Sequence, residues 1–502
     1  MNDSTRPVDG PGGSTRPTRG AAPAELPIVL AEDGARFVAI LRALTEEIRR
    51  GRLTPGARLP GSRSLAKQFG VNRNTVLAAL AALSEEGWIT TRPASGTFVS
   101  SELPQHKPRA FSRAVRDGER TGFPIRGEVQ PVPEAPGASL NLGGGIPDLR
   151  RVPTAALARA YRRALRTQKS LLNYGDPRGE ATLRGILAQH LKTARGIALG
   201  QDDLLITRGS QMALDLTART LFAPGDVIAV EALGYRPAWR ALQARGLRLV
   251  PVPVDKSGID VDAIAKLCAG PDKLRGVYVT PHHQYPTTAM LSAPRRLQLL
   301  ALAQQHGFAI LEDDYDHEFH YEGRPVLPLA SADDAGVVVY FGTLSKILAP
   351  GLRIGYVAAP KPVLSALTNA RYYVDRQGDP ALERAVAELF EDGEVMRHAR
   401  RMQRVYRARR DGMVRELRCD FGDVLSFDVP AGGMALWAKV AKRVDVDAWC
   451  AEARRCGVTL YSARRYAFRA KQPRHVRIGY ATVNDEERCR ALSILRASLP
   501  AC

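Results

Sequence analysis

Short apolar strands alternate with amphipathic helices from Leu140 to the end of the chain, and this alternation limits the fold more than any other feature. Helical segments such as Met212–Leu221 and Pro294–Gln305 separate the strands. The pattern predicts a largely parallel sheet that is covered on both faces by helices. The clearest predicted strands are Leu204–Ile206, Val227–Val230, Val277–Thr280, Ala309–Glu312 and Val337–Phe341.

The chain of 502 residues is too long for one hydrophobic core, so at least two domains are expected. Residues 1–30 are rich in Gly, Pro, Ser, Thr and Arg, which predicts a disordered tail. Residues 31–103 are predicted to form a small domain of helices and a hairpin. Residues 104–137 read as a basic, Pro-rich linker with a short helix around Phe111–Arg116. Residues 138–502 are predicted to form the sheet domain.

Charge and composition favour a cytoplasmic protein that binds a polyanion. The formal net charge of +20 favours association with nucleic acid. The six cysteines form no CxxC pair, which is typical of reduced thiols. The N-terminus lacks the apolar run of a signal peptide, and no stretch of about 18 apolar residues exists. We therefore expect a soluble, cytoplasmic protein with no membrane association.

The segment from Pro55 to Val99 has the pattern of a winged helix-turn-helix. Gly70 lies where a tight turn must join a short helix to a longer one, and Ile89–Arg92 and Gly96–Val99 predict two strands of a wing. The apolar residues that fall on one helical face are Leu65, Phe69, Val71, Val76, Leu80 and Leu83.

Four polar residues, Asn72, Arg73, Asn74 and Thr75, open the second of these helices. In a major groove such side chains reach base edges and phosphates, because Arg can pair with guanine and Asn with adenine. The alternative is that Asn72 only caps the helix and Arg73 is a solvated charge.

In the sheet domain, Lys346 follows a predicted strand and is preceded by the hydroxyls of Thr343 and Ser345. Asp313 ends another strand, and the carboxyl ends of strands are where open α/β sheets bind ligands. Pyridoxal phosphate needs such a set: an amine for the aldimine, donors for its phosphate and a carboxylate for its pyridine nitrogen. The sequence therefore predicts a pyridoxal phosphate site.

A metal site is the alternative interpretation of the same region. Glu312, Asp313 and Asp314 could form a divalent-metal cluster, and His317 and His320 have a spacing that suits ligands. No further set of ligands stands at a suitable spacing, and histidines at the protein surface are the simpler explanation. We therefore expect no metal site.

Residues 35–100 resemble the GntR-type winged helix. The resemblance implies that Arg63 and Arg73 read bases, that Asn72, Asn74 and Thr75 touch the backbone or bases, and that Gly96 in the wing approaches the minor groove. The matching features are Gly51–Leu53, Pro55–Gly56, Leu59–Pro60, Ser62–Ala66, Val71–Val76, Gly87 and Ser95–Val99.

Residues 136–502 resemble fold-type I aminotransferases, specifically the MocR branch of GntR-like regulators. The resemblance implies a mostly parallel seven-stranded sheet with a small C-terminal α+β subdomain. The matching segments are Gly143–Pro153, Tyr174–Gly179, Thr207–Leu214, Leu233–Tyr235, Thr280–Pro286, Glu312–Asp316, Ser345–Lys346, Pro350–Tyr356 and Val476–Tyr480. One departure lies at Thr287-Thr288-Ala289, where a glycine usually follows the hydroxyl residue, so the geometry of that turn is expected to change.

The resemblance assigns roles in a pyridoxal phosphate site. Lys346 would carry the aldimine, Asp313 would pair the pyridine nitrogen, Tyr315 the phenolic oxygen, and Tyr235 would stack on the ring. Tyr174 would reach the phosphate bound by the other subunit of a homodimer, and Arg477 would grip the carboxylate of an amino-acid effector. The residues implied to hold the phosphate are Ser210, Gln211, Thr343, Ser345 and Arg353.

Three hypotheses of function follow. In the first, which the resemblance favours, the chain is a transcription regulator that binds double-stranded DNA. Its aminotransferase-like domain then senses an amine, an amino acid or pyridoxal phosphate itself, without net turnover, and RNA polymerase is a candidate partner. In the second, the chain is a catalytically active aminotransferase with an accessory DNA-binding domain. In the third, the large domain is only a dimerisation scaffold.

Overall fold

A computed structural model describes residue 28 and residues 35–104, 123–124, 140–323, 326–469 and 473–500. The chain divides into two units, residues 1–131 and 132–502. The predicted tail, nearly all of the predicted linker and the short helix expected around Phe111–Arg116 lie outside the described residues.

The smaller unit contains three helices, α1 (Arg36–Arg49), α2 (Ser62–Phe69) and α3 (Arg73–Glu85), followed by the strands β1 (Ile89–Arg92) and β2 (Gly96–Val99). Gly70 ends α2 with a left-handed φ of 62°, a conformation that glycine adopts without strain. Asn72 then caps α3, because its Oδ1 accepts a hydrogen bond from the backbone nitrogen of Asn74 at 2.9 Å.

The predicted apolar face holds this unit together. The side chains of Leu65, Phe69, Val76, Leu80 and Leu83 are buried in one cluster, and Val71 packs against it. The strands β1 and β2 pair antiparallel with Thr91 opposite Thr97. The winged helix-turn-helix predicted from the sequence is therefore confirmed.

The larger unit is built on a seven-stranded sheet with the order β4-β12-β11-β10-β9-β5-β6. Only β12 runs against its neighbours; the other pairings in the sheet are parallel. The strands are β4 (Leu204–Thr207), β5 (Val227–Glu231), β6 (Arg248–Val252), β9 (Leu274–Val279), β10 (Ala309–Asp314), β11 (Val338–Thr343) and β12 (Gly355–Ala358).

Alternate residues of these strands face two separate apolar clusters. Ile310 of β10 lies in one cluster and Leu311 in the other, as the two-residue repeat of a strand requires. Both faces are covered by helices, which explains why the strands read as continuous apolar runs. The helices of this part are α4 (Thr154–Thr167), α5 (Ala181–Arg195), α6 (Ser210–Leu221), α7 (Arg236–Gln243), α8 (Val261–Cys268), α9 (Ala293–His306), α10 (Lys361–Val374) and α11 (Pro380–Glu391).

A smaller α+β part follows at the C-terminal end, as predicted, and a four-stranded antiparallel sheet of order β13-β14-β17-β16 forms its base. Its elements are α12 (Glu394–Asp420), β13 (Leu425–Ser426), β14 (Ala435–Val440), α13 (Val446–Arg455), β15 (Val458–Thr459), β16 (Tyr461–Ser462), β17 (His475–Gly479) and α14 (Asp485–Ala497). Three short strands complete the unit: β3 (Leu140–Asn141), which pairs with β15, and the hairpin of β7 (Val254–Asp255) with β8 (Gly258–Ile259).

Two further findings concern the sequence expectations. Within the described part of the chain, no helix combines the length and apolar content that crossing a membrane requires. The five described cysteines are Cys268, Cys419, Cys450, Cys456 and Cys489, and all are free thiols.

Candidate cofactor site and nucleic-acid interface

A cavity of about 310 Å³ opens at the carboxyl edge of the large sheet. This volume is at the lower end of the range of small-molecule sites, and it suits a ligand the size of one substituted aromatic ring with a phosphate. Nine of the ten predicted cofactor residues line it, namely Ser210, Gln211, Tyr235, Asp313, Tyr315, Thr343, Ser345, Lys346 and Arg353.

Asp313 lies near the carboxyl end of β10, and its environment disfavours an unpaired charge. The phenol of Tyr278, on the neighbouring strand β9, donates a 2.7 Å hydrogen bond to Oδ2 of Asp313. Oδ1 is buried and has no hydrogen-bond partner among the described residues. Burial raises the pKa of Asp313 to about 6, against the lowering effect of the Tyr278 hydrogen bond. A protonated ring nitrogen in the cavity would satisfy both the charge and the free oxygen.

Lys346 follows β11 and places its amine in the same cavity. Its Nζ donates a 2.6 Å hydrogen bond to the carbonyl of Gly145. Burial, and then the positive charge of Arg477, lower the pKa of Lys346. A lowered pKa increases the fraction of neutral amine, which is the form that attacks an aldehyde.

A group of donors lies at one end of the cavity, where α6 begins. Gly209, at the N-cap position of α6, has a φ of 80°, and a Cβ there would lie 3.2 Å from the guanidinium nitrogens of Arg353. Glycine therefore lets Arg353 approach the first turn of α6, where the backbone amides and helix dipole attract anions. The hydroxyls of Thr343 and Ser345 are 2.9 Å apart beside this end.

Tyrosines form the side walls of the cavity. Tyr235 meets Tyr285 edge-on with ring centroids 5.6 Å apart, and Tyr285 meets Tyr315 in the same way at 6.1 Å. The phenol of Tyr315 donates a 2.9 Å hydrogen bond to the carbonyl of His283. Tyr278 and Tyr285 were not predicted as site residues. Tyr278 reads as one more apolar strand residue, whereas Tyr285 stands in the Thr280–Pro286 segment and that segment was the available signal.

Arg477 is only 1% exposed and lies behind the cavity lining rather than in it. Its guanidinium carbon lies 4.7 Å from the centroid of the Tyr285 ring, and Nη1 donates to the carbonyl of Gly143 at 3.0 Å. A Cβ at Gly144 would fall 2.3 Å from Nη1 of Arg477. The glycine segment therefore packs directly on the guanidinium.

Tyr174 is far more open than the other predicted residues, with 72% of its surface exposed. The guanidinium of Arg376 lies 4.0 Å from the centroid of its ring. Tyr174 is not part of the cavity lining within this chain.

The carboxylates beside Asp313 do not gather into a metal cluster. Glu312 accepts hydrogen bonds from the backbone nitrogens of Leu329 and Ala330, whereas Asp314 accepts one from the phenol of Tyr340. Successive side chains of a strand point to opposite faces, so Asp313 is separated from both neighbours.

Two expectations need correction here. His317 and His320, expected at the surface, are each only 6% exposed, because the segment after β10 turns back into the domain. At the altered turn, Thr288 adopts a left-handed φ of 64°, and its backbone nitrogen donates to the carbonyl of Gln284 at 2.7 Å. The turn thus keeps the conformation that suits glycine although a threonine occupies it.

In the smaller unit, the predicted DNA-reading residues lie together around the start of α3. Arg63, Arg73 and Asn74 are exposed, and Nε of Arg73 donates to the Ser62 hydroxyl at 3.2 Å. The cap role weighed for Asn72 is present, so its Oδ1 is already used within the chain. Thr75 is half-buried in the first turn of α3.

Gly96 is located at the start of the second wing strand. Its φ of 114° is unfavourable for residues with a side chain, and a Cβ there would lie 3.0 Å from Nε of Arg58. Glycine at this position therefore allows Arg58 to lie against the wing.

Comparison with known proteins also separates the chain into a smaller N-terminal and a larger C-terminal part. The family of bacterial regulatory proteins called gntR matches residues 38–99, and the family called aminotransferase class I and II matches residues 138–495. The probable rhizopine catabolism regulatory protein MocR of Rhizobium meliloti is 30% identical over 91% of this chain and 92% of its own length. The pyridoxine biosynthesis transcriptional regulator PdxR of Corynebacterium glutamicum is 33% identical over 77% of this chain and 80% of its own length.

Among solved structures, the alpha-aminoadipate aminotransferase LysN of Thermus thermophilus superposes with a TM-score of 0.67. It is 28% identical and covers 72% of this chain and 92% of its own length. It was solved with a phosphopyridoxyl-leucine adduct. The match to MocR extends over both of the regions that the two families match, because it covers 91% of this chain. This chain therefore belongs to the MocR branch of the GntR-family DNA-binding transcription regulators, in which an aminotransferase class I and II domain follows the winged helix.

Proposed function

We propose that this protein is a transcription regulator that binds pyridoxal phosphate in the cavity of its large unit and whose binding to DNA responds to an amine ligand. The observation that carries the proposal is the pair formed by Asp313 and Lys346. One cavity holds a buried carboxylate oxygen that has no hydrogen-bond partner in the described part of the chain, and a desolvated amine with a lowered pKa. Few ligands other than a pyridine aldehyde satisfy both.

The rest of the lining supports the same ligand. Arg353 and the amide end of α6 would hold a phosphate, with help from Ser210 and Gln211 and from the Thr343 and Ser345 hydroxyls. Tyr235 would pack on the ring, and Tyr315 would donate to the phenolic oxygen once its hydroxyl turns away from the His283 carbonyl. Pyridoxal phosphate supplies, when bound, an aldehyde that exchanges one primary amine for another.

The protein itself contributes binding, orientation and protection from water. Asp313 would hold a proton on the ring nitrogen, Tyr278 fixes the orientation of Asp313, and the tyrosine walls would keep solvent away from Lys346. We infer that a ligand carboxylate reaches Arg477 only when the Gly143–Gly145 segment moves, because that segment packs on the guanidinium. Such a movement would connect ligand binding to the rest of the molecule.

For the smaller unit, we propose that Arg63, Arg73 and Asn74 contact bases or phosphates. Asn72 and Thr75 would position α3, and Gly96 would bring the wing close to the minor groove. The side chains of Arg63, Arg73 and Asn74 are all exposed near the start of α3, which supports this arrangement. Double-stranded DNA in the cytoplasm is then the macromolecular partner, and RNA polymerase is a second candidate.

We further propose that the functional unit is a homodimer, because the exposed Tyr174 has no place in the cavity of its own chain. The competing function is a working aminotransferase that also binds DNA. The cavity residues serve amine exchange in either case, so the cavity does not separate the two. The similarity to MocR and PdxR, which are described as regulators, favours regulation.

The first test is covalent attachment of the cofactor. Tag-free protein stripped of small molecules is titrated with pyridoxal phosphate, reduced with borohydride and mapped by mass spectrometry. We expect saturable visible absorbance and a single adduct on Lys346. The Lys346→Ala variant should lack the adduct, and Lys361→Ala, at the exposed start of α10, should behave as wild type. Attachment elsewhere, or no saturable absorbance, would refute the proposal.

A further inference from the structure

Four histidines are packed together inside the large unit, outside the cofactor cavity. His282 and His283 follow strand β9, and His317 and His320 follow the neighbouring strand β10. Their exposed fractions are 4%, 2%, 6% and 6%. Because the two strands are parallel neighbours, the segments that leave their carboxyl ends meet at one edge of the sheet.

The imidazole rings contact one another. The ring centroids of His282 and His283 are 4.4 Å apart, and those of His282 and His317 are 4.3 Å apart. His320 completes the group at 5.8 Å from His282 and 6.3 Å from His283.

Several of the ring nitrogens lack a hydrogen-bond partner among the described residues. Both nitrogens of His282 and Nε2 of His283 are buried and unpaired. Buried polar atoms are nearly always satisfied, since an unmade hydrogen bond is costly. Three such atoms in one place therefore indicate a ligand.

A neighbouring carboxylate orients one of the rings. Nδ1 of His283 lies 2.8 Å from Oδ1 of Asp316, so Nδ1 carries the proton and Nε2 presents a lone pair. A carboxylate behind a histidine is the usual support of a metal-binding imidazole.

A glycine lies against one of these unpaired nitrogens. No side chain blocks Nε2 of His283 from the direction of Gly432, where a Cβ would lie 2.6 Å from that nitrogen.

We propose that His282, His283 and His320 form a binding site for a divalent transition-metal cation, with Zn²⁺ as the best match. One nitrogen from each ring lies within 4.8 Å of the others. Tetrahedral Zn²⁺ with nitrogen ligands at about 2.0–2.1 Å needs nitrogens about 3.3 Å apart, so the rings close on the ion by small side-chain rotations. Three imidazole ligands favour Zn²⁺, Cu²⁺, Ni²⁺ or Co²⁺ over Mg²⁺ and Ca²⁺.

This site is separate from the function proposed above and does not depend on it. The three ligands do not line the cofactor cavity, although Tyr315 of the cavity lining donates a hydrogen bond to the His283 carbonyl. Three protein ligands leave a fourth position of a tetrahedral ion open to water or a small ligand.

The test uses full-length protein without a histidine tag, dialysed against a chelator and then titrated with Zn²⁺. We expect about one bound Zn²⁺ per chain by atomic emission. His282→Ala and His320→Ala should each weaken binding by at least about 100-fold, since loss of a supporting residue alone costs 10–100-fold. His306→Ala, at the exposed end of α9, should bind as wild type.

A second measurement needs no variant. Cu²⁺ is added to the wild-type protein, and electron paramagnetic resonance counts the nitrogen nuclei around the ion. Splitting by three imidazole nitrogens supports the site. Zn²⁺ binding that persists unchanged in the His282→Ala/His320→Ala double variant, oxygen-only coordination of Cu²⁺, or no binding beyond that of unfolded protein would overturn the proposal.

Discussion

The Tyr278 phenol donates its hydrogen bond to Asp313 from the adjacent strand β9, at 2.7 Å, and so fixes one of the two carboxylate oxygens. The second oxygen is left for a ligand. The two residues act as one unit, because the hydrogen bond lowers the pKa that burial raises.

Tyr278→Phe should weaken pyridoxal phosphate binding about 5- to 10-fold, which corresponds to the roughly 1 kcal/mol of one buried hydrogen bond. The loss should shift the pH dependence of binding upward, because Asp313 would hold its proton to higher pH. Absorbance titrations at several pH values measure both effects. Tyr340→Phe is the matched control, since the Tyr340 phenol donates to Asp314 at the same 2.7 Å. Equal effects of the two changes would show that the Asp313 contact has no special role.

Glu231→Gln should change how stability depends on pH. Burial raises the pKa of Glu231 to about 7 from 4.5, although its carboxylate accepts hydrogen bonds from Thr280. A carboxyl group whose pKa is higher in the folded than in the unfolded protein contributes stability that is fully present below the pKa of the unfolded protein. That contribution is lost as the pH rises through the pKa of the folded protein. Wild type should therefore lose up to about 3 kcal/mol from this group between pH 4.5 and 7.

The measurement is the difference in unfolding free energy between Glu231→Gln and wild type at several pH values. As the pH rises, the unfolding free energy of Glu231→Gln should increase relative to that of wild type. The exposed Glu486→Gln should run parallel to wild type. A difference that does not vary with pH would mean that Glu231 is already ionised in the folded protein across this range.

Arg73→Ala should cost roughly 1–3 kcal/mol of DNA affinity and relax the preference at one base position. A guanidinium at the start of α3, held beside Ser62, can form a two-pronged contact with guanine. Arg73→Lys keeps the positive charge. This variant should therefore keep the wild-type salt dependence of DNA binding but lose the preference at that base position. Arg42→Ala, an exposed change on α1, is the control. Binding to a randomised pool of sites measures both quantities, and an unaltered preference in Arg73→Ala would rule out base reading by this residue.

Arg477→Lys should reduce the response to amino acids while keeping the response to amines that lack a carboxylate. Lysine retains the positive charge near Tyr285 but cannot pair a carboxylate with two parallel hydrogen bonds. A loss of about 10-fold or more in apparent amino-acid affinity is expected, measured through the cofactor absorbance. Equal losses for both ligand classes would point to a packing defect around Gly143 and Gly144 instead.

Much of the fold could be predicted because local patterns determine it. The five strands predicted from apolar runs all form, with ends within a few residues of the prediction, since a strand covered on both faces must be apolar throughout. The α2 and α3 helices follow from helical periodicity and from Gly70. Asp313 and Lys346 line one cavity because Asp313 lies near the end of β10 and Lys346 follows the neighbouring strand β11.

Other features depend on contacts that the sequence does not display. Tyr278 could not be distinguished from an apolar strand residue, because its hydrogen bond to Asp313 needs the pairing of β9 with β10. The histidine cluster depends on the same pairing, which brings two distant His pairs together. The burial of Arg477 follows from the packing of the glycine segment, and no local pattern predicts it.

The most direct test of regulation by the large unit is to measure how tightly the protein binds DNA from the region upstream of its own gene. Fluorescence anisotropy gives this affinity for the stripped protein, for protein with pyridoxal phosphate, and for protein with pyridoxal phosphate plus a panel of L-amino acids and simple primary amines. We predict a change of about 5-fold or more on addition of the cofactor or of one panel member, the size typical of coupling between two sites. The Lys346→Ala variant should bind DNA but lack this response. A DNA affinity that no addition alters in the wild-type protein, while Lys346 is shown to carry the cofactor, would contradict the account and leave the large unit as a scaffold or an enzyme.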